Sequence, residues 1–226
     1  MITSSVAPIR TFKPRRGRLR PRQQEALRRL WPGYGLAVDG PPLDPAGLFG
    51  RPVPLVLEIG SGMGEGTAAQ AAADPDRGYL AVEVHTPGVA NLLRLAAGLG
   101  LTNLRVVHGD ALELIRNRIP PASLAAVHAY FPDPWPKHQH HKRRLFQPEH
   151  VALLRSRLVP GGTLHTATDW PGYAAAIRDA LAADPELVNP YQGWAPRPPT
   201  RPETRYERRA RDAGRQVFEL ICHRSG

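Results

Sequence analysis

An α/β fold, a mostly parallel sheet with helices on both faces, is predicted by two features of the chain. Short apolar runs alternate with helical stretches from Pro54 to Ala182, and glycines or acids follow the ends of those runs. Strands of such sheets read as near-continuous Val, Ile and Leu, because helices cover both faces and no side chain meets water.

The elements follow in order. Residues Arg10 to Arg29 hold Arg10, Lys13, Arg15, Arg16, Arg18, Arg20, Arg22, Arg28 and Arg29, with Pro14 and Pro21 opposing a helix through the first half. A short helix is expected from Arg22 to Leu30, and residues 37–54, rich in Gly, Pro and Asp, read as a linker. Residues 1–50 are therefore expected to be a basic arm with its linker, and 51–226 the folded domain. Leu55-Val56-Leu57-Glu58-Ile59 is the first strand, closed by the glycine run from Gly60 to Gly66, with a helix over Thr67 to Ala73. Strands at Tyr79–Val84, Leu104–His108, Leu124–Tyr130 and Thr163–Thr168 alternate with helices at Gly88–Leu99, from Asp110 to about Arg116, Pro148–Leu158 and Tyr173–Ala182. Beyond Asp184 six prolines obscure the pattern until a last strand at Val217–Ile221.

The 226 residues, 42% hydrophobic, suffice to bury a core without disulfides. Cys222 is the single cysteine, which excludes an internal disulfide or a Cys-based metal site and suits a reducing compartment. The first thirty residues contain no uninterrupted apolar run, so a soluble, cytoplasmic protein is expected. The net charge of +10, carried by 27 Arg and 3 Lys, favours a nucleic acid over a membrane as the polyanionic partner.

In open α/β sheets ligands bind beyond the carboxyl ends of the strands, and the candidates collect there. The run from Gly60 through Gly62 to Gly66 lets the backbone turn and approach a ligand, but it lacks the spacing of a dinucleotide fingerprint or a P-loop. Glu58, Glu83, Asp110 and Asp133 stand at or just after four successive strand ends. Four carboxylates would repel a pyrophosphate, whereas they suit a cationic ligand with a ribose and an amine. S-adenosylmethionine meets that description better than NAD. Each acid could alternatively be a helix N-cap.

The segment Tyr130-Phe131-Pro132-Asp133-Pro134-Trp135-Pro136-Lys137 runs into His138-Gln139-His140-His141-Lys142-Arg143-Arg144. The three prolines bias Phe131, Asp133 and Trp135 to extended conformations, giving a rigid loop. A carboxylate beside a flat aromatic suits a planar heterocycle, and the basic tail suits phosphates. A proline-rich surface turn with a solvated charge run is the plainer alternative, as is simple packing for Trp135 and basic surface rather than a metal site for the histidines.

These residues resemble the bacterial tRNA (guanine-N7-)-methyltransferases. The resemblance is carried by Leu57-Glu58-Ile59-Gly60, Val82 to Gly88, Phe131 to Lys137, Thr168-Asp169-Trp170 and Arg201-Pro202-Glu203-Thr204-Arg205-Tyr206-Glu207-Arg208. Ile9-Arg10-Thr11-Phe12, Gly17-Arg18 and Leu30-Trp31-Pro32 extend it over nearly the whole chain, and Ala210 departs from the family's usual glycine. The resemblance implies a Rossmann-like class I methyltransferase fold and methylation at N7 of guanine-46 in the variable loop of tRNA. It implies a methyl-donor site at Glu58, Gly60, Gly62, Glu83, Asp110 and Asp133, with Asp133 also catalytic. It assigns Lys137, Asp169, Thr204, Arg205, Tyr206 and Glu207 to the substrate nucleotide, and Gln139, His140, His141, Lys142, Arg143 and Arg144 to tRNA. No metal, membrane or DNA is expected, and the protein is expected to be monomeric. Methylation of another RNA base or an exocyclic amine, and a non-catalytic RNA-binding module, are the competing readings.

Overall fold

A computed structural model describes residues 9–13 and 19–226. Arg15, Arg16, Gly17 and Arg18 of the expected basic arm lie outside the described residues. Among the described residues eight strands form one sheet: β1 (Gly35–Leu36), β2 (Leu55–Ile59), β3 (Gly78–Glu83), β4 (Leu104–His108), β5 (Leu124–Tyr130), β6 (Leu158–Thr168), β7 (Leu187–Val188) and β8 (Phe218–Arg224). Their order is β1-β4-β3-β2-β5-β6-β8-β7. All pairs are parallel except β6 with β8 and β7 with β8. The strand order reverses direction at β2, which has β3 on one side and β5 on the other, and a ligand crevice belongs beyond that switch point.

Helices α1 (Pro21–Tyr34), α2 (Pro45–Phe49), α3 (Glu65–Ala73), α4 (Thr86–Gly98), α5 (Ala111–Asn117), α6 (Pro148–Arg157), α7 (Pro171–Ala182) and α8 (Arg205–Asp212) complete the fold. Side chains alternate across the sheet with a period of two. Leu55, Leu57, Leu80, Val82 and Val107 enter one core with α5, α6 and α7. Val56, Tyr79, Ala81 and Val106 enter the other with α3 and α4. The α/β class, the parallel order and helices on both faces are as the sequence predicts.

Residues 21–54 are more ordered than their composition implies. The expected helix from Arg22 to Leu30 instead runs through Pro32 and Gly33 to Tyr34. Leu27, Leu30, Trp31 and Tyr34 pack against the core that includes Val89, Leu92 and Leu93 of α4, and this burial outweighs the hydrogen bond lost at Pro32 so near the helix end. Residues 35 and 36 add a strand beside β4. The expected linker carries α2, capped by Asp44, whose carboxylate accepts from the N–H groups of Ala46 and Gly47. Its remainder is tied down by buried Leu43 and by Arg118, which donates to the carbonyl oxygens of Ala37 and Pro41. No helix among the described residues is long and apolar enough to cross a membrane.

Candidate active site

A cavity of about 360 Å³ opens at the carboxyl ends of β2, β3, β4 and β5. Glu58, Gly60, Gly62, Glu83, Asp110 and Asp133, the six residues assigned to a methyl donor, all line it. The four strand-end carboxylates therefore share one rim rather than separate faces.

Each acid is held differently. Glu83 is buried, and its Oε2 accepts from the N–H of Gly62 at 2.7 Å while Oε1 accepts from those of Val84 and His85, both at 2.7 Å. This carboxylate clamps the glycine loop to the end of β3. Gly62 itself has φ +60, and a side chain there would meet nothing within 4 Å, so the loop faces open space. Behind it the fit is tight: a Cβ on Gly88 would stand 1.9 Å from the carbonyl oxygen of Gly62. Asp110 does serve as the N-cap of α5, accepting from the N–H of Leu112 at 2.9 Å, yet it also lines the cavity. Glu58 is buried and its Oε2 has no hydrogen-bond partner. Burial pushes its carboxyl up to about 7, with the neighbouring Thr67 hydroxyl opposing the rise and the charge of Glu83 adding to it.

The proline loop departs from its expected extended form. Phe131 has φ +52 and Trp135 φ +44, a region in which bulky residues are outliers. Tertiary contacts hold them there. The N–H of Phe131 donates to the carbonyl of Ala167 at 2.7 Å, and its ring stacks on Tyr206 at 6.1 Å. The indole N–H of Trp135 donates to the carbonyl of Thr11 at 3.1 Å. Strain of this kind persists where surrounding structure over-determines it. Thr11, Phe12 and Lys13 line the cavity beside Asp133, and Glu203, Thr204, Arg205, Tyr206 and Arg208 form a further wall, in which Arg208 pairs with Glu203 at 3.2 Å.

A family model described as "Putative methyltransferase" matches residues 52–220. The tRNA (guanine-N(7)-)-methyltransferase of Streptomyces avermitilis is 55% identical over 96% of this chain and 75% of that protein. Those of Halorhodospira halophila (52% identical, 96% of each chain) and Nitrosospira multiformis (50%, 95% of this chain and 93% of the relative) match likewise. The chain belongs to the tRNA (guanine-N(7)-)-methyltransferase family. In its fold this methyltransferase is similar to the 16S rRNA methyltransferase KamB, with a TM-score of 0.53 at 17% identity over 80% of this chain and 92% of that one. An antibiotic-related methyltransferase aligns with a TM-score of 0.54 at 11% identity over 82% and 97%. The Rossmann-like class I methyltransferase fold expected from the sequence is thereby borne out.

Other assigned residues of this methyltransferase lie elsewhere. Lys137 is exposed and outside the cavity lining. Asp169 neither lines the cavity nor caps α7, whose N-cap is Trp170; its Oδ2 pairs with Arg215 Nε at 2.9 Å. Glu207 is buried, with its carboxylate taken by Arg201 and Arg197. Residues His138–Arg143 form a 3-10 helix on which Gln139 and Lys142 are exposed. Arg144, expected to face tRNA, is instead buried: its Nε donates to the carbonyl of Pro134 and its guanidinium covers the Tyr173 ring at 4.8 Å. Trp135 is also buried and absent from the cavity lining, with Lys13 and Arg143 over its ring at 5.2 and 5.1 Å. It packs under the loop. Among the described residues no group of three or more His, Cys, Asp or Glu could hold a metal ion.

Sequence reasoning passed over Tyr130 and Phe131 as site residues, although both stand in the stretch it singled out. It also passed over Arg201, the largest of the fully buried side chains. Nothing in a run of arginines and prolines marks one guanidinium as internal.

Proposed function

We propose that this methyltransferase moves a methyl group from S-adenosylmethionine to N7 of a tRNA guanine, guanine-46 of the variable loop. The observation that carries the reading is the gathering of Glu58, Glu83, Asp110 and Asp133 in one cavity. The family membership supplies the substrate class, since the relatives are named for tRNA and for guanine N7.

The residues present fit such a donor. The buried Oε2 of Glu58 lacks a hydrogen-bond partner, and a cationic ligand would supply one while drawing the carboxyl into its ionised form. The acidic rim opposes a pyrophosphate. Glu83 has one acceptor site left, on Oε2, for a ribose hydroxyl after clamping the loop, and Asp110 with its neighbours suits an exocyclic amine. When bound, S-adenosylmethionine offers a methyl group on a positively charged sulfur.

Guanine N7 carries a lone pair and no proton, so its attack requires no general base. What remains for the protein is alignment, which contributes up to about 7–11 kcal/mol in well-held pairs, and stabilisation of the charge that develops on the purine. Asp133, half-buried beside the cavity, is placed for the second task and for orienting the base. Arg205 on the facing wall suits a phosphate of the target nucleotide. Incubation with labelled S-adenosylmethionine and unmodified tRNA, followed by digestion to nucleosides, tests the proposal. 7-Methylguanosine is expected, and label in any other nucleoside, or none, would overturn it.

A further inference from the structure

Arg201 is 1% exposed and bridges two carboxylates. Its Nε and Nη2 donate to Oε1 and Oε2 of Glu219 on β8 at 2.7 and 3.2 Å. Its Nη1 and Nη2 donate to Oε2 and Oε1 of Glu207 on α8 at 2.8 and 2.9 Å. Both ends of this bridge reach the cavity. From Glu219 the chain of contacts passes to His165 Nε2 at 2.6 Å and from His165 Nδ1 to the hydroxyl of Tyr130 at 3.0 Å. From Glu207, whose N–H donates to Thr204 Oγ1 at 3.1 Å, it passes to the wall formed by Thr204, Arg205 and Tyr206. Tyr206 lies nearly parallel to Phe131, at 20°, and Phe131 stands two residues before Asp133.

Stability is a poor reason for such a cluster, because a buried ionic group is commonly no better than apolar packing of the same volume. Geometry is a better one. The planar guanidinium has its donors fixed in a fork, so two carboxylates bound to it cannot shift independently. Those carboxylates belong to β8 and to the first turn of α8.

We infer that Arg201 is a positioning residue that sets Tyr206 against Phe131 and so fixes the width of the slot that receives the planar acceptor base. The inference rests on the proposed transfer to a purine. Arg201 acts through Glu207 and α8. Its guanidinium also lies over the Tyr130 ring at 5.4 Å, so the bridge meets the cavity at the end of β5, while among the described residues it makes no hydrogen bond to the glycine loop.

Arg201→Lys keeps the charge and loses the fork, and Glu207→Gln weakens one branch while leaving the pair with Glu219. On each, three quantities are measured: amide hydrogen exchange, S-adenosylmethionine affinity without RNA, and kcat and KM with a tRNA transcript. Exchange is expected to rise in residues 203–208 and to stay unchanged in 60–66. Donor affinity should stay within about twofold while kcat falls about tenfold or more, since misplacement near 1 Å can cost 10²-fold. A kcat within about twofold of wild type overturns the inference. So does a loss of donor affinity and exchange protection across the whole domain in both variants. If Arg201→Lys does not fold, Glu207→Gln alone decides by the same criteria. Should the wild-type protein yield no 7-methylguanosine, the functional reading fails separately. Exchange at 203–208, which needs no turnover, then decides by rising or not whether Arg201 sets this wall.

Discussion

The main-chain N–H of Lys13 donates to Oδ2 of Asp133 at 3.0 Å, across 120 residues of sequence. With the bond from the Trp135 indole to Thr11, it joins the N-terminal segment to the proline loop as one wall of the cavity. Asp133 is thus oriented by a main-chain donor that only proline at position 13 would remove, and it retains lone pairs for a further donor.

Asp133→Asn keeps the shape and the bond to Lys13 but removes the charge. Turnover is expected to fall by about 10², the size of one preorganised electrostatic contact, with S-adenosylmethionine affinity little changed. Wild-type turnover alongside intact donor binding would take Asp133 out of the mechanism.

Glu58 links pH to stability. Burial raises its folded pKa from 4.5 to about 7, so the folded protein holds this proton longer than the unfolded chain does. Its contribution is fully present below pH 4.5 and is lost as pH rises to about 7, a change on the order of 3 kcal/mol. Thermal melting of donor-free protein should show wild type losing stability relative to Glu58→Gln across that window. Donor affinity should rise over the same range. Parallel stability curves for the two proteins would show that Glu58 does not titrate there.

Gly88→Ala places a methyl group 1.9 Å from the carbonyl oxygen of Gly62. Since the neighbour is backbone, the loop must move, at a cost of about 1–3 kcal/mol, and the bond from Gly62 to Glu83 moves with it. Lower melting temperature and weaker donor binding are expected together. Gly98→Ala, where a methyl group at the end of α4 meets nothing within 4 Å, is the control and should lower neither. Equal behaviour of the two variants would contradict the tight contact.

The basic cluster should divide in two. Six phosphate contacts on tRNA would give a log–log salt slope of about −4 to −5. Lys142→Gln, on exposed surface, should flatten the slope by up to about one and leave melting unchanged. Arg144→Gln removes the bond to Pro134 and the cover over Tyr173, so it should lower stability by about 1–3 kcal/mol. Salt-insensitive tRNA binding, or Arg144→Gln melting like wild type, would count against this division.

The strands are legible because parallel, doubly covered strands leave short apolar runs bounded by glycines and acids; β2, β4 and β5 fall on the residues predicted. The four acids at their ends were legible for the same reason, their places following from the strands. The sequence pattern ends helix α1 too early, because local propensity at Pro32 and Gly33 says nothing of the core that Trp31 meets. It does not show helix α8, because the prolines before it mask a turn secured by Thr204 and by Arg201.

The sequence by itself determined the sheet, the glycine loop, the acidic rim and the family, all of which depend on spacing along the chain. Only the tertiary structure decided which charges are tools and which are struts. Arg144, Arg201 and Glu207 look like surface residues in one dimension and are buried in three. The reason is that burial of a charge is set by partners distant in sequence, Pro134 with the Tyr173 ring for Arg144 and Glu219 for Arg201, which no local pattern records.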